Sequence, residues 1–142
     1  MTKLTAEEKK ALIRQAQAAR LHAVAPYSHF MVGAALLSEN GQVFTGCNIE
    51  NAAYSPTNCA ERTALFKAVS EGVTRFTDIA IVGAKQGEGN TLVTAPCGVC
   101  RQALYELCGP ELNVIMAKTE NDYIEASLGE LLPYGFGGAN IL

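Results

Sequence analysis

Apolar and polar residues follow patterns that predict helices and strands along the whole chain. Thr5 to Glu8 form a capping box, and apolar residues then recur at helical spacing, which predicts a first helix that ends near His22. Two apolar runs flank Asn40-Gly41, the strongest short signal for a hairpin. We therefore expect strands near Met31–Ser38 and Gln42–Ile49.

From residue 58 onwards, helical stretches alternate with short and almost wholly apolar runs. Helices are expected over Asn58–Glu71, from Pro96-Cys97 to Gly109, and briefly after Ser127. Strands are expected over Asp78–Ala84, Leu112–Ala117 and Tyr123–Ser127, and an exposed Gly-rich turn over Gln86–Asn90.

The order of these elements predicts an α/β fold. Alternation of strands and helices implies parallel pairing in a sheet that helices cover. The last strand follows Ala117 too closely for a parallel crossover, so this edge pair should be antiparallel. We expect one domain over residues 1–142, a three-layer α-β-α sandwich. Its five-stranded mixed sheet should have an N-terminal hairpin, a parallel centre and an antiparallel last strand, with helices on both faces.

Composition and charge narrow the possible functions. The chain has 142 residues, of which 49% are apolar, so it can bury a core without disulfides. A net charge of −3 implies no broad basic face, which argues against nucleic acid as a partner. No apolar run is long enough to span a bilayer, and the first ten residues have no secretory pattern. We expect a cytoplasmic protein whose five cysteines are reduced.

Three of these cysteines lie where helices are predicted to begin. Cys59 opens the second helix, and Cys97 and Cys100 open the third. A helix N-terminus favours thiolate over thiol, and parallel strands bring neighbouring helix starts to one edge of a sheet. Zinc suits three converging thiolates, and a fourth position left for water is typical of catalytic zinc sites.

Two charged residues, Glu61 and Arg62, follow Cys59 after one intervening alanine. Glu61 is close enough to the predicted metal to take a proton from bound water without being a ligand. Zinc with three thiolates carries a net charge of −1, and Arg62 can donate a hydrogen bond to a ligand sulfur. The stretch therefore predicts a ligand, a base and a compensating charge.

Other interpretations of the same residues remain open. The Cys97/Cys100 pair could be a redox motif, although Pro96 precedes the pair rather than lying within it. A structural zinc site would need a fourth ligand, for which Cys47 and Cys108 are available by count. We expect both to be small buried hydrophobic residues. Glu61 alone could be an ordinary first-turn acid.

The combination of Cys-Ala-Glu at 59–61 with Pro-Cys-x-x-Cys at 96–100 resembles the signature of the zinc nucleoside and nucleobase deaminases. Cys59 stands where many members carry His, and this version is similar to the small homotetrameric cytidine deaminases. YSHFMVGAALL, GCNIENAAYSPTNCAERTAL, PCGVCRQAL and ELLPYGFG extend the resemblance over nearly the whole chain. It implies one Zn²⁺ per subunit and deamination of cytidine and deoxycytidine in pyrimidine salvage.

The resemblance also implies roles for individual residues. Cys59, Cys97 and Cys100 would bind zinc, and Glu61 would be the proton shuttle. Residues implied to contact the substrate are Phe30, Asn48, Glu50, Tyr54 and Ala60. The Asn48 amide and the Glu50 carboxylate would bind ribose hydroxyls, and the Phe30 ring would pack on the pyrimidine. Phe136 would close the pocket of a neighbouring subunit. Without the resemblance, Asn48 and Glu50 could be turn-forming residues at the end of a strand, and Phe30 could be part of the core.

The surroundings of the motifs favour a free nucleoside as substrate. No cluster of Lys and Arg flanks them, as a cytidylate or polynucleotide deaminase would need. A blasticidin-type deaminase would share the zinc signature but lack the Asn48/Glu50 pair. Another small-molecule aminopyrimidine deaminase and a non-catalytic structural zinc module are the remaining alternatives.

Overall fold

The computed structural model describes residues 3–89 and 92–142. The α-helices in these residues are α1 (Ala6–Arg20), α2 (Ala60–Ser70), α3 (Gly98–Cys108) and α4 (Leu128–Leu131). The strands are β1 (Phe30–Ser38), β2 (Val43–Cys47), β3 (Phe76–Lys85), β4 (Asn113–Thr119) and β5 (Asp122–Ser127), and a short 3₁₀ turn covers Gly138–Asn140. The predicted elements are all present, with ends that differ by a few residues.

Local sequence signals account for several of these ends. Thr5 forms the predicted capping box at the start of α1, and Ser127 also forms one at the start of α4. Gly109 ends α3 with a positive φ of 85°, a conformation that glycine adopts without strain. The turn after β3 is exposed over residues 86–89, whereas Asn90 of the predicted turn lies outside the described residues.

The strands form one sheet in the order β2-β1-β3-β4-β5. The predicted hairpin of β1 with β2 and the antiparallel pairing of β5 with β4 are confirmed. The predicted parallel pairing holds for β3 with β4. It is wrong for β2 with β3, because β1 lies between them and pairs antiparallel with both. Strands β2 and β3 nevertheless run in the same direction.

Helices cover both faces of the sheet, as the predicted three-layer sandwich requires. Helix α1 packs on one face through buried residues that include Leu12, Ile13 and Ala16. Helices α2, α3 and α4 cover the other face through Leu65, Leu104 and Leu128. The fold is therefore an α/β sandwich with one helix on one side and three on the other.

Two glycines allow helices to approach the sheet closely. A Cβ at Gly33 of β1 would lie 2.0 Å from the carbonyl oxygen of Ala16 in α1. A Cβ at Gly46 of β2 would lie 2.4 Å from the carbonyl oxygen of Ala60, the first residue of α2. Glycine at position 46 therefore seats the N-terminus of α2 directly on the sheet.

The direction of the strands decides where the helices begin. Because β2 and β3 run the same way, the segments that follow them leave the same edge of the sheet and lead into α2 and α3. The N-termini of both helices therefore meet at that edge. Within the part of the chain that the structure describes, no helix is long and apolar enough to cross a membrane.

Candidate functional site

Three cysteine sulfurs converge where α2 and α3 begin. Cys59 and Cys97 are the N-cap residues of the two helices, and neither side chain makes a capping hydrogen bond. The Sγ atoms of Cys59, Cys97 and Cys100 all lie within 4.8 Å of one another. The sequence-based prediction that these three residues meet is confirmed.

The spacing of the sulfurs fits a zinc ion. Sγ of Cys59 lies 3.7 Å from Sγ of Cys97. Tetrahedral zinc with Zn–S bonds of about 2.3 Å places its sulfurs about 3.8 Å apart. The sulfurs of Cys59 and Cys97 therefore have the separation that a shared zinc ion would impose, and three thiolates are a donor set that zinc favours.

Hydrogen bonds at the cluster favour a thiolate at Cys59. Bonds from Cys100, Arg62 and Cys97 lower the pKa of Cys59 to about 5, although burial opposes this change. The bond to Cys59, together with burial, raises the pKa of Cys100. These contacts thus favour the thiolate form of Cys59, and the charge of a bound cation would favour loss of the proton from the buried Cys100.

Glu61 lies beside the sulfurs in the first turn of α2 and is only 4% exposed. Burial, reinforced by the negative charge of Cys59, raises the pKa of Glu61 to about 7. A buried carboxyl group with a pKa near neutrality, in contact with a metal-binding cluster, has the properties of a general acid and base.

Arg62 provides positive charge on the other side of Cys59. Its Nη2 lies 3.5 Å from Sγ of Cys59, and this hydrogen bond raises the pKa of Arg62 further. Its Nε is buried and has no hydrogen-bond partner. A guanidinium held at this position fits a centre whose sulfurs carry negative charge.

The two other cysteines stay outside the cluster. Among the described residues, only Cys59, Cys97 and Cys100 form a group of metal-binding side chains. Cys47 and Cys108 are partly buried, and burial raises the pKa of both, in Cys108 to about 12. Both are thiols packed within the protein, somewhat more exposed than the sequence predicted.

A segment next to the cluster carries the predicted sugar-binding residues. The Asn48 side chain accepts a hydrogen bond of 2.8 Å from Val32 N and donates one of 2.8 Å to Phe30 O. The Glu50 carboxylate accepts hydrogen bonds from Tyr27 N, Ser28 N and the Ser28 hydroxyl. Both side chains therefore point towards the start of β1, where Phe30 lies.

Phe30 begins β1 with its side chain partly exposed. Its ring packs over Gly83 of β3, where a Cβ would lie 3.0 Å from two ring carbons and 2.7 Å from Oγ1 of Thr94. Ala60 is fully buried at the start of α2. The aromatic ring and the metal-binding cluster therefore lie at the same edge of the sheet, where β1 begins and β2 and β3 end.

Comparison with known proteins identifies the family. The family model of the cytidine and deoxycytidylate deaminase zinc-binding region matches residues 6–116. The chain belongs to this deaminase family. The zinc-binding region of the family accounts for the cysteine cluster, so zinc is the cofactor.

Individual relatives of the family cover most of the chain. The chain is similar to a cytidine deaminase of Sporosarcina psychrophila, with 48% identity over 88% of both chains. It is 46% identical to a cytidine deaminase of Halalkalibacterium halodurans over 91% of this chain and 94% of that protein. A crystal structure of cytidine deaminase from Burkholderia pseudomallei superposes with a TM-score of 0.81, at 49% identity over 89% of this chain and 97% of that one.

Two of the aromatic residues that the resemblance implicates are exposed in the single chain. Tyr54 has a positive φ of 62° and a side chain that is 77% exposed. Phe136 has an exposed side chain, and its carbonyl oxygen accepts a hydrogen bond of 2.7 Å from Nε2 of Gln102 in α3. Their roles in substrate binding and at a neighbouring subunit stay predictions.

Sequence reasoning missed several residues that shape the site. Ser28 holds the Glu50 carboxylate, and Asn58 and Thr63 form a hydrogen bond beside Cys59. Polar residues immediately before Phe30 and Cys59 were the available signal. Their partners depend on the path of the loops, which the sequence pattern does not specify.

Proposed function

We propose that this protein is a zinc-dependent cytidine deaminase that acts on cytidine and deoxycytidine in pyrimidine salvage. The products are uridine or deoxyuridine and ammonia. The observation that carries this proposal is the buried Glu61 beside three sulfurs spaced for one zinc ion. Three protein ligands leave a position for water, which a closed structural zinc site would not have.

The reaction assigns one task to each group at the cluster. When bound, zinc acts as a Lewis acid that makes water nucleophilic at neutral pH. Glu61 accepts a proton from the attacking water and delivers it to N3 of the pyrimidine, which makes C4 electrophilic. After the water oxygen adds to C4, Glu61 takes the remaining proton from that oxygen and gives it to the amino group. The C4–N bond then breaks, the C4 carbonyl forms and ammonia leaves. One carboxyl group therefore serves first as base and then as acid.

The segment around Asn48 supplies the proposed contacts with the sugar. Hydrogen bonds to the backbone hold Asn48 and Glu50 in place. A carboxylate has about four acceptor positions, so Glu50 can also accept a hydrogen bond from a ribose hydroxyl. Phe30 would pack on the pyrimidine, and the backbone of Ala60 would contact the base. Because Asn48 and Glu50 would contact the sugar, these residues favour a nucleoside over a free base as substrate.

The exposed aromatic residues support a proposed homotetramer. Tyr54 and Phe136 are exposed in the single chain, so both rings are available for a subunit contact, and Phe136 would reach the pocket of a neighbouring subunit. Light scattering during size-exclusion chromatography should give four times the mass of the chain, and a monomer would contradict this part of the proposal. The cytoplasmic location and the assignment of residues 1–142 to one domain stay predictions.

The experiment that tests the proposed function compares four substrates. The zinc-loaded protein is incubated with cytidine, deoxycytidine, cytidylate and cytosine, and the absorbance change on deamination is followed. We expect turnover of the two nucleosides and little of the nucleotide or the free base. Preference for cytidylate or for cytosine would contradict the proposed substrate. No turnover of any of them would favour a structural zinc module.

A further inference from the structure

A hydrogen-bonded chain of side chains holds the backbone of the zinc ligand Cys59. Nδ2 of Asn58 donates a hydrogen bond of 3.0 Å to Oγ1 of Thr63. That hydroxyl in turn donates one of 3.1 Å to the carbonyl oxygen of Cys59. We infer that Asn58 and Thr63 are positioning residues that set the direction of the Cys59 sulfur and so the zinc affinity. This inference rests on the proposed zinc-dependent function.

The need for such residues follows from the position of Cys59. An N-cap residue is usually fixed by its own side chain, which accepts a hydrogen bond from a backbone N–H of the first turn. Cys59 makes no such bond, because its sulfur faces the other two cysteines. Its orientation must therefore come from the backbone on either side.

The backbone is held on both sides of Cys59. Before it, Asn58 exchanges two backbone hydrogen bonds with Ile49, of 2.9 and 3.0 Å. After it, the carbonyl oxygen of Cys59 accepts hydrogen bonds from both the backbone N–H and the hydroxyl of Thr63. The Asn58 side chain joins these two anchors, which leaves the peptide units around Cys59 little freedom to rotate.

Helix α3 has an equivalent arrangement at its own ligand. Cys97 is the N-cap residue, and the residue four positions later is Arg101. Arg101 donates its backbone N–H to the Cys97 carbonyl at 2.9 Å. Its Nε donates a hydrogen bond of 2.7 Å to the carbonyl oxygen of Pro96. In both helices, the side chain four residues after the ligand contacts the residue directly before it, although the chemical groups differ.

The hydrogen bonds of Thr63 differ from those of an ordinary threonine in a helix. Threonine often bonds to the carbonyl four residues earlier, and such a bond slightly destabilises or bends a helix. Here the Thr63 hydroxyl also accepts a hydrogen bond from the Asn58 amide, and the carbonyl to which it donates belongs to the metal ligand Cys59. Groups that orient metal ligands typically change metal affinity by about 10- to 100-fold when removed.

The test measures zinc affinity directly, by competition with a chromophoric chelator under reducing conditions. Thr63→Val keeps the shape of the side chain and removes the hydroxyl, so we expect the dissociation constant for zinc to rise about 10-fold. Thr63→Ser should restore an affinity near that of the unaltered protein. Ser70→Ala is the matched control, because Ser70 donates a hydrogen bond to Lys67 O at the other end of α2.

A double-mutant cycle tests whether Asn58 acts through Thr63. Asn58→Ala should weaken zinc binding, and the variant with both substitutions should bind zinc no more weakly than Thr63→Val alone. Circular dichroism confirms folding, and if Thr63→Val fails to fold, Asn58→Ala carries the same test. The inference is overturned if the variants bind zinc like the unaltered protein, or if Ser70→Ala weakens binding equally. An unaltered protein that bound no zinc would instead refute the proposed function.

Discussion

The guanidinium of Arg62 lies one helical turn from Cys59, with Nη2 3.5 Å from Sγ. This contact places a permanent positive charge against a sulfur whose pKa it helps to lower. Three thiolates and a zinc ion carry a net charge of −1, which Arg62 and the N-termini of α2 and α3 together offset. The charge balance allows the site to hold three anionic sulfurs and still accommodate a buried carboxyl group.

Replacement of Glu61 separates metal binding from catalysis. Glu61→Gln keeps the size and the buried position but cannot carry a proton, so we expect deamination to slow by about 10²- to 10⁴-fold. Zinc content, measured by atomic emission, should stay at that of the unaltered protein because the three sulfurs are unchanged. Glu71→Gln, at the exposed C-terminal end of the same helix, should retain full activity. Full turnover by Glu61→Gln would refute the proposed shuttle.

Gly83 determines how deeply the ring of Phe30 can sit. A Cβ at position 83 would lie 3.0 Å from the ring and 2.7 Å from Oγ1 of Thr94, so Gly83→Ala should displace the ring towards the substrate. We expect a several-fold rise in KM for cytidine with unchanged zinc content. Gly89→Ala is the control, since a Cβ there meets nothing within 4 Å. An unaltered KM in Gly83→Ala would show that the ring does not contact the base.

Helix α3 depends on one buried leucine for its packing against the sheet. Leu104 is fully buried, whereas Leu107 in the same helix is 41% exposed. Leu104→Ala should lower the free energy of unfolding by about 2–5 kcal/mol, because it leaves a cavity. Leu107→Ala should cost less than about 1 kcal/mol. Urea denaturation of the zinc-loaded variants measures both, and equal losses would contradict this packing.

An ion pair between α1 and β5 should make stability depend on pH. The Glu125 carboxylate lies 3.0 Å from Nζ of Lys9 and accepts a hydrogen bond of 2.8 Å from Asn113. Burial alone would raise the pKa of Glu125, but the hydrogen bonds from Asn113 and Lys9 outweigh it and lower the pKa. Such a group stabilises the fold above the ordinary carboxyl pKa, and this contribution disappears as the pH falls through the lowered value.

Glu125→Gln measures that contribution. At pH 7 the substitution should lower the free energy of unfolding by about 0.5 kcal/mol, a typical value for a partly exposed pair. The difference from the unaltered protein should shrink as the pH falls from 7 to about 3, below the ordinary carboxyl pKa. Urea denaturation of both proteins at each pH provides the comparison, and a difference that stays constant would contradict the assignment.

The features that could be predicted from the sequence depend on local signals or on short motifs. The capping boxes at Thr5 and Ser127 and the hairpin at Asn40-Gly41 each lie within a few residues of the structure they specify. The meeting of Cys59 with Cys97 was also predictable, because both cysteines begin helices that follow strands of one sheet. The sequence motif indicated which cysteines bind the metal, and the common direction of β2 and β3 explains why these cysteines meet.

The features that were not predictable depend on contacts between distant segments. Strand β1 lies between β2 and β3 in the sheet. The alternation of strands and helices along the chain does not determine this order of the strands. The partners of Glu50 lie in the loop before β1, and no periodic pattern describes a loop. The hydrogen bond between Asn58 and Thr63 likewise depends on how the chain enters α2.

X-ray absorption spectroscopy of the zinc-loaded protein shows which atoms bind the metal. We expect three sulfur neighbours at about 2.3 Å from zinc and one lighter neighbour, oxygen, at about 2.0 Å. The same spectrum of Glu61→Gln should still show three sulfurs. A zinc ion bound by four sulfurs would leave no open position for water, and one bound by fewer than three would not be held by the cysteine cluster; either result would contradict a catalytic three-thiolate site.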